Sequence, residues 1–160
     1  MTVSTLHHVT DALIAMLDAA LPASVAVGDG EAPGKAGQAH TYPYVVVYSI
    51  AGGGPSGDAA HPAAMAETVY QVSSVSDERW EAEWAAGLVR QAVLGRTAGT
   101  GAFVRPIDGY TVNGGAKTLT GDDGLVVWHR GFDSGGGLIQ EGRLSNVADR
   151  YVLSVAPHTA

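Results

Sequence analysis

Six histidines, His7, His8, His40, His61, His129 and His158, carry the most versatile side chains in this chain, and their spacing builds no site. No two stand four residues apart, and no His-Glu-x-x-His or His-x-Glu pattern occurs, so the usual ways of presenting imidazoles to a metal are missing. His7 and His8 are neighbours on a helical stretch and point in different directions, so one ion does not easily take both. Surface or core histidines are the expectation. Ser56, within Gly53-Gly54-Pro55-Ser56-Gly57, has a superficial likeness to a nucleophile elbow. Position 58 is Asp58 where that turn needs glycine, and no strong helix follows, so the segment reads as a turn. Ser134-Gly135-Gly136-Gly137 could cradle an anion through backbone amides, but it lacks the lysine and the strand-to-helix setting of a phosphate loop. The pair Asp122-Asp123 sits in Gly121-Asp122-Asp123-Gly124, a hairpin-turn composition whose surroundings do not supply further oxygen ligands for a hard cation.

No catalytic, cofactor-binding or metal-ligating residue is therefore assigned, and no enzymatic reaction is expected. A chain with a firm scaffold and no convergent chemistry points toward a protein that works by assembling. The competing expectation is a small α/β enzyme or ligand-binding domain, with Arg105, Asp108, Tyr110 or His129 gathered in a pocket.

Composition narrows the classes further. One hundred and sixty residues suit a single domain spanning 1–160, and a chain near that length buries roughly 68–70% of its unfolded surface without help from metals or disulfides. Cysteine is absent, which excludes a disulfide framework, a thiolate metal site and a cysteine nucleophile. Sixteen acidic against nine basic residues give a formal charge of −7, a surface that repels phosphate backbones. The first eight residues show no basic stretch leading into an apolar one, so no secretory signal is expected. No apolar run approaches the ~20 residues that a bilayer span requires. A soluble chain kept in the cytosol is the expectation. The 22 glycines cluster between apolar runs and predict flexible loops at about 28–41, 51–65 and 131–145.

The elements that must position any site follow from periodicity. Leu6, Val9, Leu13, Met16, Leu17 and Leu21 recur at three- and four-residue steps and predict an amphipathic helix over about Thr5–Ala20, stopped by Pro22. Ser24–Val27 is a short strand candidate. Tyr44–Ile50 is apolar on both alternating sets, which predicts a central strand covered on both faces, at least in the assembled state. Ala66–Ser76 predicts a half-exposed strand. A second helix is expected over Asp77–Gly95, with Ser76 as N-cap, Val75 and Trp80 as a hydrophobic staple, and Gly95 as a left-handed exit. Its buried stripe is expected to be Trp80, Trp84, Leu88 and the Val89/Ala92/Val93 group. Phe103–Ile107, Leu125–Arg130 and Ala148–Ala156 are further strand candidates, the last with Tyr151, Leu153 and Val155 inward. Residues 131–145 read as a loop that still holds Phe132, Leu138, Ile139 and Leu144. A neighbouring subunit or the loop's own domain could receive those side chains, and the sequence leaves both open.

This order of features resembles a family. An N-terminal helix, then Tyr42-Pro43-Tyr44-Val45-Val46-Val47, then Ala66–Ser76 running into a Trp-containing helix, is similar to the tail terminator (tail completion) proteins of long-tailed bacteriophages. The strand Asp149–Val155 after a glycine-rich segment is similar to their closing strand. The likeness covers most of residues 3–156 and rests on apolar patterns and lengths. Segment 97–124 has no match in it.

The resemblance implies an α/β (α+β) subunit with a mixed, mostly antiparallel sheet flanked by two helices, assembling into a homo-hexameric ring. It implies a structural virion protein at the head-proximal end of the tail, made in the host cytoplasm. Its partners would be further copies of itself, the tail tube protein whose polymerisation it ends, and a head-completion or connector protein. DNA would pass through the lumen without specific binding, and no cofactor or membrane is involved. Another head–tail connector or neck (stopper) subunit is the alternative within the same biology. As a hypothesis, the contacts come from Gly52–Ala64 and Gly131–Ser145, with Gly52, Gly53, Pro55, Trp128, Arg130, Phe132, Leu138, Ile139 and Arg143 as interface residues. On that reading, deleting 133–143 leaves a folded subunit that fails to close rings; normal ring mass in the deletion would sink it.

Overall fold

The computed structural model describes residues 6–34, 40–50, 55–56, 65–101, 103–105 and 125–157. In chain order the elements are α1 (Leu6–Ala20), β1 (Ala26–Asp29), β2 (Tyr44–Ile50), β3 (Pro55–Ser56), β4 (Met65–Ser76), α2 (Arg79–Leu94), β5 (Leu125–Glu141) and β6 (Leu144–Pro157). The sheet runs β1-β2-β4-β6-β5, with β3 paired to β4. β1 lies parallel to β2, and the other pairs are antiparallel. It is an α+β fold with a mixed sheet and two helices.

Alternation along the strands sends one set of side chains toward the helices. Val45 and Val47 of β2, Tyr70 and Val72 of β4, and Tyr151 and Leu153 of β6 meet Val9, Leu13, Met16 and Leu17 of α1 in the main core. Each fully buried side chain of this kind contributes roughly 1.5–3 kcal/mol of transfer free energy. Tyr70 adds a polar tie, its hydroxyl 2.9 Å from Thr10 Oγ1 on α1. Tyr44, Val46 and Val75 form a second, smaller cluster, with Ala32, Tyr42 and Leu144 packed around it.

The strand over Tyr44–Ile50 is found, but its cover is partial: Tyr44 to Val47 are buried while Tyr48 and Ser49 are exposed. The Leu6–Ala20 helix matches the periodicity, and β1 sits two residues later than expected. β4 is found, but instead of being half-exposed it is buried from Val72 to Ser76, because β2 and β6 flank it on both sides. Within 51–65, Pro55 and Ser56 pair with Ala66 and Met65, so part of that expected loop extends the β2–β4 ladder.

The largest correction concerns 131–145. These residues are the outer half of a β5–β6 hairpin, with Leu138 opposite Val147, Gln140 opposite Ser145 and Glu141 opposite Leu144. The ladder is irregular at three places, between Val127 and His129, Phe132 and Ser134, and Gly135 and Leu138. Glycine there serves close approach rather than looseness: a Cβ on Gly136 would stand 2.8 Å from the Ala148 carbonyl oxygen. The chain reverses at Gly142, whose φ of +63° suits a residue without a Cβ. Deleting 133–143 would thus remove the end of a hairpin, not trim a loop.

In segment 97–124, Phe103 makes an isolated bridge to Arg96 in place of the expected strand, and 106–124 lie outside the described residues.

Candidate interaction surfaces

α2 begins later than its expected cap. Arg79 opens the helix, and Glu78 stands at the N-cap without a side-chain bond. Ser76 still organises the entry: its Oγ accepts from the Glu78 N–H at 3.3 Å and donates to Glu81 Oε2 at 2.7 Å. Val75 faces the second cluster and makes no staple with Trp80. At the far end Gly95 has φ −57° and ψ 125°, an extended exit rather than a left-handed one. Its missing Cβ is required by contact, since that atom would meet Gln91 O at 2.5 Å and Val104 Cγ2 at 2.9 Å.

The buried side of α2 is Ala82, Ala85, Ala86, Val89, Ala92 and Val93. The expected Val89/Ala92/Val93 group is buried and Leu88 packs partly buried against the core, but Trp80 and Trp84 do not belong to the buried stripe. Trp80 is 61% exposed and Trp84 43% exposed, one helical turn apart on the outward side. Small side chains let the helix axis approach the sheet, and the bulky indoles cannot share that seam. Two exposed tryptophans on one helix face make an apolar patch of the kind that marks interaction sites. Exposed Asp77, Glu78 and Glu83 lie at the same end of the helix, where Glu83 pairs with Arg79 at 3.1 Å.

A second apolar set lies on β5, an edge strand. Phe132 is 41% exposed, Leu138 36% and Ile139 49%. A long edge strand with apolar side chains is a template for association, only partly blunted here by its irregular register. Arg143, exposed in the hairpin turn, adds a cation at the tip. Trp128 is the residue left unpaired between Val127 and His129 in the ladder.

Arg130 does not belong with this surface. It is 2% exposed, stacks on the Phe103 ring at 3.5 Å from the centroid, and donates from Nη2 to the Arg105 carbonyl at 2.9 Å. Arg96 covers the same ring at 4.1 Å. Burial, with the Arg96 charge as the lesser cause, pulls the Arg130 guanidinium down to about 10. Its Nε and Nη1 have no hydrogen-bond partner. The stack pins residues 103–105 against β5, an internal role for a residue expected at an interface.

Between α2 and β6 lies a buried polar group. Arg90 Nη2 donates to Asp149 Oδ2 at 3.2 Å, and its guanidinium covers Phe132 at 4.5 Å from the ring centroid. Tyr151 Oη is buried beside it without a hydrogen-bond partner, while its ring meets Phe132 edge-on at 5.7 Å. Burial, reinforced by the Asp149 charge, raises the Tyr151 hydroxyl well above its ordinary value. A phenol held so firmly protonated supplies neither a base nor a nucleophile near neutral pH.

Of the remaining expected residues, Gly52 and Gly53 lie outside the described residues, as do His61, His158, Asp108, Tyr110, Asp122 and Asp123. Pro55 opens β3 opposite Ala66, and His129 lies in β5 opposite Ser154. Arg105 is exposed, and its carbonyl is engaged by Arg130. Among the described residues, no three His, Asp or Glu side chains come together where they could hold a metal ion. No helix among them is long and apolar enough to cross a membrane. The sequence reading missed Trp80 and Trp84 as surface residues. The signal was present in Ala82, Ala85 and Ala86, which continue the expected Val89/Ala92/Val93 group toward the start of the helix. No protein-family model matches the chain, and a search of curated proteins finds no match to it.

Proposed function

We propose that this chain is a tail terminator subunit of a long-tailed bacteriophage: a structural protein that closes into a homo-hexameric ring, caps the tail tube and meets the head-completion proteins. One observation carries the reading beyond the sequence resemblance. The subunit bears apolar side chains at two unlike places, Trp80 with Trp84 on α2, and Phe132, Leu138 and Ile139 along the edge strand β5, where Leu138 and Ile139 face opposite sides of the sheet. A ring requires a head-to-tail interface, in which one patch of each subunit meets a different patch of the next. A two-fold dimer would need only one. The net charge of −7 suits a lumen that DNA crosses without being held.

The test is native mass spectrometry with negative-stain imaging of the full chain, alone and mixed with polymerising tail tube protein. Six-fold rings and tubes of arrested length are expected in the mixture. A chain that stays monomeric there and leaves tube length unchanged overturns the reading.

A further inference from the structure

On the sheet face turned away from the helices, between β2, β4 and the β5–β6 turn, lies a half-open hollow of about 170 Å³. Its apolar floor comes from Val46, Val75 and Leu144, and Tyr44 and Tyr48 stand along one wall. Tyr44 is held in place by its neighbours: Tyr42 stacks on it at 5.6 Å between centroids, and His40 leans on it at 5.5 Å. Opposite are Glu141, the one charged residue among the described residues that line the hollow, and Asn146. Asn146 Oδ1 is buried and has no hydrogen-bond partner. A buried acceptor left unpaired is unfavourable, and a donor that reaches it would relieve that cost.

We propose that this hollow binds a slender organic cation, an ammonium or guanidinium group on an alkyl stem. The stem matches the Val46–Val75–Leu144 floor. The charged head finds the Glu141 carboxylate and the Asn146 carbonyl oxygen, which both favour a cationic donor, beside the aromatic side chains of Tyr44 and Tyr48. An anion would meet Glu141 with nothing positive in the lining to offset it. The hollow accepts the same chemistry from a lysine or arginine side chain of a neighbouring protein or from a free amine. It borders the β5 surface, since Asn146 stands directly across the ladder from Ile139, but cation binding by the single chain is read without any ring.

The experiment titrates the full chain with n-butylammonium, n-butylguanidinium and the neutral n-butanol, following the amide signals of Leu144 and Asn146 by NMR. The cations are expected to shift those signals saturably and to bind about tenfold or more tighter than the alcohol. Glu141→Gln and Tyr48→Leu, both at exposed positions, are each expected to weaken cation binding about three- to tenfold while the rest of the spectrum stays native. Equal binding of alcohol and cations, or unchanged cation affinity in a folded Glu141→Gln chain, overturns the proposal. A second arm compares end-capped lysine and arginine tripeptides with the free amines. Tighter peptide binding identifies a protein side chain as the source, and tighter amine binding identifies a free amine.

Discussion

Arg90 on α2 and Asp149 on β6 are joined at 3.2 Å, with the Asp149 side chain 4% exposed and the Arg90 side chain 53% exposed. The pair is lopsided: the carboxylate is committed to the interior, and the cation reaches it from the rim. Removing the cation leaves a buried charge without its ion-pair partner, the costly way to break such a pair. Arg90→Ala is expected to lower unfolding free energy by about 1–3 kcal/mol, discounted from a fully buried pair because water reaches the arginine. Urea denaturation measures this. A double-mutant cycle with Asp149→Asn is expected to show coupling of about 1 kcal/mol, and strict additivity would refute the pairing.

The tryptophans of α2 separate stability from assembly. Trp80→Ser and Trp84→Ser remove exposed side chains, so each is expected to change stability by no more than about 0.5 kcal/mol. On the proposed function, the same double variant loses ring formation in native mass spectrometry. A fully assembling double variant would remove this surface from the interface.

Leu138→Ser with Ile139→Ser tests the opposing surface in the same assay, and the loss of rings is again expected with the fold retained. Mixing the β5 variant with the α2 variant is expected to give heterodimers and no closed rings, because each mixture retains one intact patch of each kind. Rings of normal mass from that mixture would show that the two surfaces are not partners.

Gly136 gives a test of the hairpin. Its Cβ would collide with backbone, the Ala148 carbonyl at 2.8 Å, which cannot turn aside as a flexible side chain would. Gly136→Ala is expected to destabilise by about 1–3 kcal/mol, read as a shift in urea midpoint. If 131–145 behaved as a loop, the substitution would be nearly silent.

Alkaline stability follows from Tyr151. Its folded hydroxyl titrates above the ordinary value of 10.0, mainly because it is buried. The folded state therefore keeps a proton that the unfolded state releases, so this contribution is intact below pH 10 and is lost as pH rises beyond it. Tyr151→Phe removes the loss. The variant removes a hydroxyl that lies close to Arg90 and is expected to lie within about 1.5 kcal/mol of the parent at pH 7. Between pH 10 and 12 it should hold its melting temperature better than the parent. Parallel alkaline declines in the two proteins would contradict this.

Local periodicity carried much of the fold. Leu13 and Leu17 report α1 because a helix repeats its buried face within four residues, and Tyr151 with Leu153 reports β6 because a strand repeats within two. The candidate interface was legible in part. Phe132, Leu138 and Ile139 are exposed as an assembly surface requires, but they sit on a strand. Arg130 was misplaced because its partners, Phe103 and the Arg105 carbonyl, lie some 25 residues away in sequence.

The sequence by itself determined that the chain has two helices, β-strands with alternating faces, and no cysteine chemistry, since these follow from composition and short-range spacing. Tertiary structure decided two further matters. It turned the glycine-rich 131–145 into a strand, because the hydrogen bonds that hold it come from β6 and leave no mark in its own composition. It also decided that the buried side of α2 continues from Val89, Ala92 and Val93 through the alanines and not through the tryptophans. The sheet takes the alanine and valine side, where close packing is possible, and leaves Trp80 and Trp84 to solvent.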